Sequence, residues 1–178
     1  MRLALPLVLA LAACGQTQFY APLPSQSELR LNVRPDTVMI NEASIPEYAI
    51  NQEIPIQQPD GSLTTDTDQL WADLPDRALA GALMRHLNTI TDAQVAVEPW
   101  PLGGFPEVEV SVFVEDMIVL SSGALRFTGS YAIRREEAAG QVETFAIDVP
   151  VATADYVTII AAHEAAWLIL AEQIARNL

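Results

Sequence analysis

One thiol is available to this chain. Cys14, the only cysteine among 178 residues, stands in Leu11-Ala12-Ala13-Cys14-Gly15, after Arg2 and the largely apolar run 3–10. Small Ala12 and Ala13 let a signal peptidase approach the bond before the cysteine, and the sulfur can then hold a diacylglyceryl group as a thioether. A short basic start, an apolar stretch and small residues before a cut mark a secretory leader. The run is far short of the roughly 20 residues that span a bilayer. Processing is expected to remove residues 1–13 and leave Cys14 as the mature N-terminus, with a diacylglyceryl thioether and an N-acyl group. Two or more acyl chains anchor a protein stably. Lipid consumes the thiol, so no disulfide, zinc cluster or cysteine nucleophile is expected.

The other residues able to do chemistry are scattered. His86 and His163 fall on different expected helices, on or beside apolar stripes, and are read as core histidines. Ser121-Ser122-Gly123 sits in a turn with no basic partner nearby in sequence. Glu115 and Asp116 point to opposite faces of any regular strand. Glu107 and Glu109 share a face, but it lies opposite the valines and reads as solvated. Metal-ligand spacing, a phosphate loop and a dinucleotide fingerprint are all absent from the sequence. No catalytic residue, metal or cofactor is therefore expected, and the chain is read as something other than an enzyme.

Aromatic and arginine side chains are the usual energetic centres of protein interfaces. Three are expected to contact a partner. Trp100 lies between Pro99 and Pro101, either tucked against a sheet end or presented outward. Phe113 points to the polar side of its strand, and Arg126 is a cation on the polar side of the strand that follows. Trp71, in Leu70-Trp71-Ala72-Asp73, is read mainly as a packing residue.

Charge narrows the choice of partners. Acidic residues number 23 and basic ones 9, all arginine, for a net charge of −14. Such a body repels phosphate polymers and anionic surfaces, which excludes nucleic acid.

The elements that must position these residues follow from periodicity. Residues 14–27, rich in Gln, Thr, Pro and Ser, read as a lipidated flexible tether, and 28–178 as one domain. Alternation at Leu29, Leu31 and Val33 predicts a half-buried strand. Val38-Met39-Ile40 continues it, and a further extended stretch lies around Ile54 and Ile56. Leu74-Pro75-Asp76 opens a helix whose stripe is Leu79, Ala82, Leu83, Leu87 and Ile90. Four strands follow, at 94–97, around Val108–Val114, around Leu125–Arg134 and around Phe145–Val149. Short connectors between the last three predict an antiparallel meander. A final helix over 153–177 is expected to be capped by Thr153; its most apolar part, 157–170, is too short to span a membrane. The fold class is α+β: a single mostly antiparallel sheet with two helices packed on one face.

These residues together resemble a known family, the ABC-type transport auxiliary lipoproteins. The resemblance rests on the lipobox, Phe19-Tyr20 with Leu23-Pro24, and Ile45-Pro46-Glu47-Tyr48-Ala49. It continues through Leu70-Trp71-Ala72, Val97-Glu98-Pro99-Trp100 and the terminal Ala161-Ala162-His163-Glu164-Ala165-Ala166. It implies a lipid-anchored protein on the periplasmic face of the outer membrane. There it would be the non-catalytic accessory subunit of a lipid transporter, docking the MCE-domain protein of an inner-membrane ABC-type system and supporting membrane integrity. Gly15 after the cysteine agrees with outer-membrane sorting. Self-association into a homo-oligomer stays open. The alternative is a general envelope scaffold for another outer-membrane complex.

Cys14→Ser should abolish incorporation of labelled fatty acid and leave the chain uncleaved or soluble. Normal labelling of that variant would contradict lipidation at this residue.

Overall fold

The computed structural model describes residues 16–136, 138–152 and 155–178. In chain order these form β1 (Gln18–Tyr20), β2 (Thr37–Ile40), a 3-10 turn (Glu47–Ala49), β3 (Ile56–Gln57), β4 (Leu63–Thr64) and β5 (Gln69–Trp71). Then come α1 (Pro75–Ile90), β6 (Gln94–Val97), β7 (Val108–Leu120), β8 (Ala124–Arg135), β9 (Ala138–Pro150) and α2 (Tyr156–Ala175).

The long strand β7 organises a seven-stranded sheet. One side of it pairs antiparallel with β8, which pairs antiparallel with β9. Its other side is shared by β2 near the start and β3 near the end, both parallel to it, with Ser44 bridging to Phe113 between them. β2 also pairs in parallel with β6. The sheet is thus mixed. The antiparallel expectation holds for β7, β8 and β9, whose connectors are short. It fails for β2 and β6 because α1 lies between them in sequence, and a helical crossover returns the chain in the same direction. A bulge interrupts β7 between Val114 and Asp116. Opposite it stands Gly129, where a Cβ would collide with the carbonyl oxygen of Phe113 and the ring of Phe145.

Both helices lie on one face of the sheet. α1 covers β2 and β6, α2 covers β8 and β9, and the helices pack on each other. The stripe Leu79, Ala82, Leu83, Leu87 and Ile90 is buried, as are Val108, Val110, Val112, Leu125, Phe127, Ile133 and Ile147 beneath it. Pro75 occupies the first turn of α1 with Asp76 beside it, matching the helix start read from sequence. α2 begins with Asp155, whose carboxylate accepts from the Thr158 amide at 3.0 Å. The expected cap, Thr153, lies outside the described residues.

Two further expectations are corrected. α2 spans 20 residues and is long and apolar enough to cross a membrane by length and composition. Just over half of that stretch is buried in the body instead, with Ile159, Trp167, Leu170 and Ile174 fully buried. Residues 28–33 form no strand beyond a single bridge from Leu31 to Thr91. Leu29, Leu31 and Val33 do pack on the core. The amides of Leu29 and Val33, however, donate to Ser27 Oγ and Asp92 Oδ1. Alternation reported burial correctly; side-chain acceptors took the hydrogen bonds a ladder would have used.

Trp167 of α2 stacks on Trp71 at the end of β5, with centroids 5.6 Å apart. Trp167→Ala should therefore cost about 3–5 kcal/mol in urea unfolding; a loss below about 1 kcal/mol would contradict its place at the centre of the core.

Candidate attachment and docking surfaces

The two histidines of the sequence are both buried, and each is bound into packing. His86 of α1 places Nε2 3.0 Å from Glu164 Oε1 of α2, with both side chains almost inaccessible. The same oxygen accepts from the amide of Ser25 at 2.9 Å and its hydroxyl at 3.3 Å. Burial pushes the Glu164 carboxyl up. The interaction with His86, the hydrogen bond from the Ser25 amide and the charge of Arg85 outweigh it and hold the group below its ordinary value. Buried carboxylates persist only when paired in this way.

His163 lies one residue earlier on α2. Its Nδ1 is 2.9 Å from the Ile159 carbonyl, which assigns the proton to that nitrogen. The ring meets Trp71 edge-on, with centroids 4.9 Å apart. Burial drives its pKa down to about 4, only partly opposed by the Ile159 hydrogen bond. A neutral imidazole enclosed by two tryptophans fills space and caps a carbonyl. Among the described residues no group of three or more His, Cys, Asp or Glu side chains converges as a metal site.

The N-terminal stretch is where sequence reading missed most. Residues 14–27 were expected to be slack, yet β1 pairs in parallel with β5, Gln18 to Gln69 through Tyr20 to Trp71. The Tyr20 hydroxyl reaches Gln69 Oε1 at 2.5 Å, and its ring stacks on Tyr156 at 5.9 Å. Ser25 is held on Glu164, and Ser27 donates to Glu172 Oε1 at 2.5 Å. From Gln18 onward the segment is a strap fastened along α2. Its serines look like linker residues in sequence, but here their hydroxyls partner the carboxylates of the last helix. Cys14 itself lies outside the described residues, four positions before β1.

Of the three expected partner contacts, Phe113 and Arg126 share a sheet face and Trp100 lies in a loop. Phe113 of β7 is 50% exposed on the sheet face turned away from the helices. Arg126 of β8 is exposed on the same face, opposite Ile118 and four residues along from Ser130, the partner of Phe113. Trp100 is half-buried in the loop after β6, with its indole Nε1 enclosed. That loop also exposes Leu102 and Phe105, which the sequence reading did not single out. The open face further carries an ion pair between Arg134 and Glu109, so it is less uniformly acidic than the chain as a whole. Leu23 and Val157, beside β1, are exposed as well; the first falls in the stretch expected to be a tether, and the second begins the most apolar part of the last helix.

His163 yields a pH prediction. The unfolded histidine titrates near 6.5 and the folded one near 4. Protons therefore favour the unfolded chain, and stability present above pH 6.5 is lost as pH falls toward 4. In urea unfolding over that range, the native chain should lose up to about 3 kcal/mol more than His163→Gln. Equal losses would contradict the buried neutral assignment.

Comparison with known proteins adds to this geometry. The profile of the ABC-type transport auxiliary lipoprotein component family matches residues 22–175. No curated protein matches the chain in sequence. One crystal structure of an uncharacterized protein superposes with a TM-score of 0.74 at 19% identity, covering 91% of this chain and 99% of that one. A Xanthomonas campestris protein of the DUF330 family superposes with a TM-score of 0.66 at 14% identity, covering 88% and 92%. At such identities the superpositions speak for the fold alone, and the profile carries the relationship. The chain belongs to the ABC-type transport auxiliary lipoprotein component family.

Proposed function

We propose that this protein is the outer-membrane, periplasm-facing subunit of an ABC-type lipid transport system. In this reading it docks the system's MCE-domain protein to the membrane that holds Cys14. The observation that carries this is the family match over 22–175, combined with the lipobox at Leu11–Cys14. The family is a transport auxiliary component, so the work assigned to this chain is binding and positioning.

The physical arrangement suits that work. The strap on α2 leaves only a short stretch between the body and Cys14, so a lipid there holds the body close to the bilayer. The sheet face carrying Phe113 and Arg126 lies opposite the helices and strap, free to meet a partner. A partner approaching a body of net charge −14 is steered by its own basic groups, which act on the association rate more than on dissociation.

A photo-crosslinker placed at Phe113 in intact cells, followed by purification under denaturing conditions, should recover an MCE-domain protein. Recovery of only peptidoglycan-associated or barrel-assembly proteins would contradict the transport role and favour a general envelope scaffold.

A further inference from the structure

The apolar side chains that surface around β1 form one patch. Phe19 is 60% exposed, Leu23 86% and Val157 67%. All three line a single groove of ≈ 420 Å³ between residues 19–25 and the first turns of α2, completed by Ile160, Ala161 and Glu164. Exposed apolar side chains grouped about a groove mark an interaction surface. We infer that this patch is where the body rests on the phospholipid bilayer, an inference that builds on the reading of Cys14 as the lipidated residue.

Chain length selects the bilayer over other occupants. The Gln18 amide is fixed on the Asp68 carbonyl at 2.8 Å, and four residues further back the lipid would be attached. Fully extended, they reach at most about 14 Å. The end of the body that carries β1 must then face the membrane, and that end carries the patch. Its chemistry suits the headgroup boundary. Leucine, valine and phenylalanine enter the upper acyl region, while the stacked rings of Tyr20 and Tyr156 beside them add aromatic surface suited to the headgroup boundary. Electrostatics cannot supply the attraction, because the chain is acidic overall and Asp66 and Asp68 are exposed next to β1. The contact is therefore hydrophobic and shallow, and salt, which screens the repulsion between acidic body and anionic lipid, does not weaken it.

Cys14 is the only native cysteine, so once it is acylated an introduced cysteine is the one free thiol. Leu23→Cys, Val157→Cys and, on the open sheet face, Phe113→Cys can each carry a nitroxide on full-length, acylated protein. The proteins are then incorporated into phosphatidylethanolamine–phosphatidylglycerol vesicles. On vesicle binding, collision with a water-soluble nickel chelate should fall several-fold at 23 and 157 and oxygen collision should rise. Position 113 should be unchanged, and added salt should not reverse the effect. Vesicle-bound acylated protein whose labels at 23 and 157 stay as open to nickel as 113 would overturn the inference and leave the lipoprotein reading standing. Spin–spin broadening at 23, present equally in detergent, would overturn it in favour of a second copy on the patch. Absence of acyl mass on Cys14 would remove the lipidation reading and this inference with it.

Discussion

The structure depends on the coverage of α2. Its buried residues include Ile159, Ala162, Glu164, Ala166, Trp167, Leu170 and Ala171, which together face more than one direction around the helix. A helix apolar nearly all round must be enclosed on all those sides. β8 and β9 supply one wall and α1 a second; the strap from β1 to Ser27 closes the third. Glu164 is the polar position that this enclosure must accommodate. His86 from one wall and Ser25 from another meet at its carboxylate, so one buried group joins three separate parts of the chain. Removing a partner would strand that charge, at a cost of about 3–5 kcal/mol.

This packing demand connects to function through geometry. A strap fixed to the core fixes where the chain leaves the body toward Cys14, and so fixes which end of the body a membrane anchor would hold. The arginines of β8 divide along the same line. Arg135 donates to the carbonyls of Asn177 and Leu178, tying the sheet to the end of α2. Arg134 pairs with Glu109, and Arg126 stands exposed on the open face. One arginine of β8 thus serves the packing of α2, and two stand on the sheet face opposite the helices.

Much of this was legible in the sequence because periodicity records burial. The stripe of α1, the alternation of Val108 to Val114 and the meander that follows were all read correctly, as were both histidines as core residues. What failed was pairing and partnership. Parallel entry of β2 and β6 depends on where α1 lies between them, and alternation at Leu29 to Val33 cannot distinguish a ladder from amides bonded to Ser27 and Asp92. The strap was invisible because serines look alike in a linker and in a segment hydrogen-bonded to the carboxylates of a neighbouring helix. Trp100, Phe113 and Arg126 were chosen by residue type, and type alone cannot place side chains on a common face. Two of the three share one, and the third, Trp100, is half-buried in the loop before β7.

The central claim is that residues 18–27 belong to the folded body and do not form a slack tether. Amide hydrogen exchange resolved to single residues tests it most directly. The account predicts strong protection at Gln18, Ser25, Leu29 and Leu31, whose amides donate to Asp68, Glu164, Ser27 and Ile90. Exchange at these four amides at the rate of an unstructured peptide, with α2 still protected, would contradict it.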